Sequence, residues 1–224
     1  TLIDTMGSDL TVVNAARVSF NKQSDWDDDN TLKVSDKVLI QYLARNKHLS
    51  PFGHCFASFR VKAPVFVARQ LVKHKFLRWN EVSRRYVDYE PEFYEPTVWR
   101  KRSKDKKQGS AGEITLGYKT ISTLAKNAVW YRKTYKKLID DGIAPEQARM
   151  TLPLSLMTEW YWSGSMDAFV DMCNLRCTKD TQLETREVAD KIDNEMSYLF
   201  PCMCIPYTRC ACGYVVGIGR GIMV

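Results

Sequence analysis

The 224-residue sequence has no run of about eighteen uninterrupted apolar residues and no basic-then-apolar leader, so no membrane span is expected. A cytoplasmic setting follows, or a host cytoplasm for a viral chain. Histidine is scarce: His48, His54 and His74 are the three present, and their spacings match no zinc signature, so no metal is expected. No Gly-rich phosphate loop followed by Lys-Ser/Thr occurs, and Gly217-Ile218-Gly219-Arg220-Gly221 has no helix after it to receive a pyrophosphate. Phosphate would have to be held by side-chain cations. No Ser-His-Asp or Cys-His signature stands out. The seven cysteines are an odd number scattered through a chain too large to need stapling, which makes free thiols the expectation. Cys202-Met203-Cys204 and Cys210-Ala211-Cys212 lack the two-residue spacing of zinc knuckles. Internal repeats and long linkers are also missing, so residues 1–224 read as one domain, with 201–224 an irregular Cys-rich tail.

What is present suits a globular chain. Hydrophobic residues make up 45% and aromatics 12%, enough apolar surface to offset the entropy of ordering. A formal charge of +7 points to anionic partners. Ser8 can cap a helix through Asp9, Val12, Val13 and Ala16, and residues 25–30, with four Asp, read as a solvated loop. Val38, Leu39, Tyr42 and Leu43 share one face of a helix from Ser35, and Ser50-Pro51-Phe52-Gly53 turns the chain. Phe56 to Lys62 reads as a strand, and Pro64 fits the first turn of a helix. The polar run Arg100 to Ser110 has no apolar period and reads as an exposed loop, either merely solvated or closing over an anion. Leu124, Ala128, Tyr131, Tyr135 and Leu138 form the core stripe of a long helix stopped by Gly142. Pro145 starts a helix that Pro153 interrupts, with Met157, Trp160 and Tyr161 as a buried aromatic continuation. Ser165 caps a helix ending near Arg176. Thr181-Gln182-Leu183-Glu184 has capping-box spacing before Val188, Ile192, Met196 and Leu199. Strict strand-helix alternation is missing, so the expected fold is helix-rich α+β with a small antiparallel sheet.

The helix after Pro64 carries the stripe Val65, Ala68, Val72 and Phe76, with Arg69, Gln70 and Lys73 on another side. Residues 69–85 hold six Arg or Lys and one His against the single acid Glu81. Charge so lopsided repels itself unless something negative is bound. Gln70, Asn80, Glu81, Ser83 and Tyr86, able to hydrogen-bond a base or ribose, interleave with the cations and favour a mononucleotide-sized ligand.

The run Lys73-His74-Lys75-Phe76-Leu77-Arg78-Trp79-Asn80-Glu81-Val82-Ser83-Arg84-Arg85-Tyr86 resembles the signature of the flavin-dependent thymidylate synthases: Arg-His-Arg, two free positions, Ser, one free, Asn-Glu, one free, Ser, one free, Arg-Tyr. The likeness extends to Ser50-Pro51-Phe52-Gly53-His54, Val61 to Gln70, Ala148-Arg149, Leu152-Pro153-Leu154, Asn174-Leu175-Arg176, and Thr181-Gln182 with Glu184, and reaches about Phe200. The resemblance implies that family's fold and its reaction, reductive methylation of dUMP to dTMP. The carbon donor would be 5,10-methylenetetrahydrofolate, the reductant NADPH and the working cofactor FAD. It places Gln70, Lys73, Glu81, Val82, Ser83, Arg84, Arg85, Arg149 and Arg176 at dUMP, with Arg85 at the phosphate. It implies that Arg176 is the catalytic group, which would stabilise a uracil ionised at N3 and so raise electron density at C5. His48, Ser50, Lys73, His74, Lys75, Glu81, Ser165, Asp167 and Asp171 fall at positions near FAD. Ser83 is implied to bind, not to attack. A homotetramer with sites shared between subunits is implied as well, with neither nucleic acid nor membrane as partner.

The chain departs from the pattern at identifiable places. Lys73 and Lys75 replace the arginines of the signature, keeping charge but losing the planar fork, and Arg78 replaces its serine. Ser165, Asp167 and Asp171 stand where Asn, Arg and Asn are common. Because these changes touch the flavin side more than the pyrimidine side, 5-hydroxymethylation of dUMP is a sister outcome. From other classes, a basic nucleic-acid-binding module would track phosphates with residues 69–85 and 100–107, and a pure binding protein could keep the fold without the chemistry.

Overall fold

Alternation of burial from Phe56 to Ala63, with Ala57, Phe59, Val61 and Ala63 inward, builds the central sheet of this computed structural model, which describes residues 1–104 and 109–204. In chain order the elements are β1 (Leu2–Met6), α1 (Asp9–Arg17), α2 (Val34–Arg45), β2 (Phe56–Pro64), α3 (Val65–Leu71), β3 (Arg78–Glu81), β4 (Trp99–Arg102), β5 (Ser110–Ile114), α4 (Tyr118–Asp140), α5 (Pro145–Ala148), β6 (Met157–Ser165), α6 (Met166–Arg176), α7 (Leu183–Leu199) and α8 (Pro201–Cys204). The architecture is the expected α+β single domain. A four-stranded antiparallel sheet runs in the order β1-β2-β6-β3, and β4 pairs with β5 in a separate ribbon.

Strands β2 and β6 pair along their whole lengths, Phe56 opposite Ser165 and Pro64 opposite Met157. Helix α6 lies against this sheet by its buried residues, with Phe169 edge-on to both Phe59 and Trp162 at 5.2 and 5.5 Å between ring centroids. Helix α7 packs on α6 through Ala189, Ile192 and Met196.

Several expectations are corrected. The aromatic segment after Pro153 is a strand, not a helical continuation. Trp160 and Trp162 are buried while Tyr161 between them is exposed, a period of two that pairing with β2 and β3 enforces. The Arg100 to Ser110 run is not loop throughout: Arg100 to Arg102 belong to β4 and Ser110 opens β5, a largely exposed ribbon that carries no apolar period. Residues 105–108 lie outside the described residues. Of the α4 stripe, Tyr135 alone is buried; Ala128, Tyr131 and Leu138 are half-buried and Leu124 is exposed, because the described residues cover this face only in part. In α2 the buried face is Asp36, Ile40, Leu43 and Ala44, turned away from the expected Val38 and Tyr42. Helix α3 stops at Leu71, so its inward residues are Val67, Ala68 and Leu71, and Val72 and Phe76 are exposed. No capping box opens α7: Gln182 is the N-cap but makes no side-chain capping bond, and Glu184 pairs with Arg100 instead. Of the Cys-rich tail, α8 is described, and residues 205–224 lie outside the described residues.

Candidate active site

The basic signature is not one helix face but a turn and a strand, and backbone packing sets their course. Phe76 has a positive φ of 65°, uncommon for a bulky residue, and its side chain is 81% exposed. The turn fits because Gly164 of β6 has no side chain: a Cβ there would lie 2.4 Å from Leu77 Cδ2 and 3.1 Å from the Phe76 carbonyl oxygen. Leu77 tucks against the core, and the chain re-enters the sheet as β3.

On β3, Trp79 stacks on buried Trp160 at 4.3 Å, with 19° between ring planes. Its indole Nε1 donates to Glu81 Oε2 at 3.1 Å, and Thr158 Oγ1 of β6 donates to Glu81 Oε1 at 2.7 Å. Glu81 is thus an exposed carboxylate with a fixed direction. Val82 extends the ladder, its amide donating to the Glu159 carbonyl at 2.9 Å. A turn at Ser83 follows, and Ser83 Oγ accepts from Arg85 Nε at 3.2 Å while Arg85 lies over the Tyr86 ring.

Arg84 points the other way. It is 7% exposed, donates to the Tyr89 carbonyl, and lies 4.1 Å from the centroid of the Tyr89 ring and 5.7 Å from that of Tyr135. Those contacts are internal struts, and Arg84→Ala is expected to destabilise the fold by about 2 kcal/mol through the lost charged hydrogen bond and stacking. Arg85→Ala on the exposed side is expected to leave the melting temperature nearly unchanged, so paired thermal melts check the assignment.

Arg176 closes the cluster from a distant part of the chain. It is the last residue of α6, and its Nε donates to His74 Nε2 at 2.9 Å while Nη2 reaches the Gln70 carbonyl at 3.4 Å. The Gln70 side chain donates in turn to Gln182 Oε1 at 2.5 Å, joining α3 to the start of α7. Burial, then the Arg176 charge, holds His74 below the usual imidazole range, and burial pulls Arg176 down as well. Lys73 and Lys75 flank this contact, exposed. Arg149, just after α5, is exposed and donates to the Glu146 carbonyl at 3.2 Å; among the described residues no hydrogen bond or ion pair links it to the cluster.

A second group gathers at the start of α6. Ser165 is its N-cap, and Asp167 Oδ1, buried and without a hydrogen-bond partner among the described residues, lies 4.0 Å from where a Gly53 Cβ would sit. Burial and then the Asp167 charge push the Asp171 carboxyl up, against the pull of Lys47. His48 stands next to Lys47, its ring 6.0 Å from Tyr42, and Ser50 begins the following turn. Acidic and basic groups therefore share this place. Carboxylates repel a diphosphate but accept from hydroxyl and amino groups, so Asp167 and Asp171 suit the sugar or base end of a nucleotide cofactor and Lys47 its phosphates.

Two contributors escaped the sequence reading. Thr158 was hidden in a segment read as helical. Arg100 Nη2 donates to both Glu184 oxygens at 2.8 and 2.9 Å, tying the ribbon to α7; burial raises the Glu184 carboxyl, but the Arg100 hydrogen bonds and charge, together with backbone and Gln182 hydrogen bonds, hold it below the usual carboxylate range. A cavity of about 940 Å³ between the ribbon and α4, lined by residues such as Tyr94, Val98, Leu124 and Tyr131, contains none of the expected site residues. Among the described residues no three of His, Cys, Asp and Glu converge as for a metal ion, and no helix is long and apolar enough to cross a membrane.

Comparison with known proteins gives consistent matches. Residues 1–202 match the family described as thymidylate synthase complementing protein. A protein of Thermus thermophilus named flavin-dependent thymidylate synthase is 40% identical over 191 residues, which are 85% of this chain and 68% of that one. One of the same name from Treponema denticola is 38% identical over 213 residues, 93% of this chain and 78% of its own. Among solved structures, the UMP/dUMP methylase PolB from Streptomyces cacaoi, bound with 5-Br dUMP, superposes with a TM-score of 0.80 at 30% identity, covering 92% of this chain and 93% of that one.

Proposed function

Because the chain belongs to the thymidylate synthase complementing protein family, that of the flavin-dependent thymidylate synthases, we propose that it reductively methylates dUMP to dTMP. 5,10-Methylenetetrahydrofolate is the carbon donor, NADPH the reductant and FAD the cofactor of this reading. The observation that carries it is the Arg176 guanidinium, drawn against the signature turn by two neutral acceptors, His74 Nε2 and the Gln70 carbonyl. A guanidinium held without a carboxylate keeps its charge for a ligand, and a uracil ionised at N3 is the anion that most needs it.

Around it, Gln70, Lys73, Glu81, Val82, Ser83, Arg85 and Arg149 form the nucleotide shell of this reading. Arg85, exposed and braced by Ser83, takes the phosphate, and the fixed Glu81 accepts from the nucleotide or the cofactor. Arg84 acts on this shell through the turn it braces. His48, Ser50, Lys73, His74, Lys75, Ser165, Asp167 and Asp171 form the flavin side, with the unpartnered Asp167 oxygen accepting from a hydroxyl or amino group. FAD, when bound, supplies the hydride taken from NADPH. The protein's residues bind and orient the pyrimidine, stabilise its negative charge, and let the C5 hydrogen leave as a proton.

The reading includes a homotetramer with shared sites. Exposed Ile121, Leu124, Val129 and Trp130 on α4, together with an Arg149 unconnected to the rest of the cluster, support it. The test is to purify the protein, record the flavin absorbance, and follow tritium release from 5-labelled dUMP with folate and NADPH. Release with dTMP formed is the expected result. Release without dTMP points to hydroxymethylation, and a colourless protein whose affinity falls steeply with salt points to a nucleic-acid binder.

A further inference from the structure

An arginine Nε always carries its hydrogen, so the 2.9 Å contact with His74 Nε2 has one possible polarity: Nε2 accepts. An imidazole that accepts at Nε2 is neutral and bears its proton on Nδ1. The geometry points to His74 as a positioning residue that, as the neutral Nδ1–H tautomer, holds one edge of the Arg176 guanidinium and turns its remaining donors toward the pyrimidine. This role differs from contact with a flavin, and it rests on the reading that Arg176 serves the uracil.

The surroundings favour that state. From α6 the group facing the imidazole is Arg176 itself, a cation; from α3 it is the neutral Gln70, and Lys73 and Lys75 on either side in sequence add positive charge. Burial and Arg176 both disfavour the imidazolium, and among the described residues no carboxylate contributes to the balance at His74. The choice of partner also has a chemical consequence. An Asp or Glu here would orient Arg176 equally well but would neutralise the charge meant for the substrate, whereas a lysine would repel it. A neutral acceptor orients without neutralising. With the Gln70 carbonyl as the second neutral acceptor, the guanidinium is fixed on two sides and still offers its full charge.

Long-range proton–nitrogen NMR of the histidine-labelled full chain, without dUMP, tests the tautomer directly. At neutral pH, His74 is expected to show a protonated Nδ1 and a bare Nε2, to titrate below the usual imidazole range, and to lose that preference in Arg176→Ala. A protonated Nε2, or an imidazolium at neutral pH, overturns the inference whatever the reaction is. Kinetics at saturating flavin supply the second arm. His74→Leu is expected to lower kcat roughly 10- to 100-fold with little change in KM for dUMP, the loss of one hydrogen bond to a charged group. His74→Gln, a neutral acceptor that does not titrate, is expected to recover part of the rate and to flatten the acid limb of the pH profile. Undiminished turnover in His74→Leu overturns the positioning role and leaves the proposed reaction standing. A wild-type chain that neither binds dUMP nor releases tritium overturns the reaction, while the NMR result still decides the tautomer.

Discussion

Arg176→Ala is expected to lower kcat for thymidylate formation roughly 100- to 1,000-fold while the fold persists. The rate loss follows from removing a preorganised cation beside charge that develops in the transition state. Persistence of the fold follows from the position of the residue: it ends α6, bonds two neutral acceptors, and among the described residues sits in no carboxylate network. Its structural contribution is a helix-end charge of about 0.3–1 kcal/mol, which moves the melting temperature by only a few degrees. Arg176→Lys keeps charge without the planar fork and is expected to recover a minor part of the activity. Single-turnover assays on wild type and both variants, beside thermal melts, separate the two contributions. Normal turnover in Arg176→Ala would remove the central group of the proposed site.

Trp160→Ala is expected to have the largest effect on stability, about 3–5 kcal/mol, or a drop of about 10 °C in melting temperature. Trp160 is fully buried in β6, between the partner strands β2 and β3, and stacks on Trp79 while meeting Trp162 edge-on. Its loss leaves a cavity beneath the strand that carries Asn80 and Glu81. Trp79, freed on that side, no longer aims its indole at Glu81, so weaker dUMP binding is expected alongside the lower melting temperature. Trp160→Phe is expected to cost markedly less, because the indole Nε1 of Trp160 has no hydrogen-bond partner among the described residues to lose. Calorimetry with and without dUMP reads both effects.

Local signals in this sequence were legible where one physical cause acts alone. Ser8 and Ser165 mark helix starts, and the inward face of β2 follows from alternation. Legibility failed where a neighbour distant in sequence overrides local pattern. Met157 to Ser165 holds Trp160 and Tyr161 side by side, which fits a buried helix as well as a strand, and pairing with β2 decided it. The apolar stripe of α4 has true helical spacing, yet spacing says what wants covering and not which surface covers it. Arg84 and Arg85 are adjacent and chemically identical, but one lies inside against Tyr89 and Tyr135 and the other faces water.

By itself the sequence determined the chemistry on offer: a surplus of cations interleaved with base-recognising groups, a fourteen-residue signature specific enough to indicate the family, and an α+β chain with a small antiparallel sheet. Tertiary structure alone decided how those groups meet. It brought Arg176 to His74 across 102 positions of chain, set Thr158 under Glu81, and placed Asp167 beside Gly53. The reason is that periodicity and capping act over a few residues, whereas a hydrogen bond between remote side chains depends on the strand register and helix packing of the whole fold.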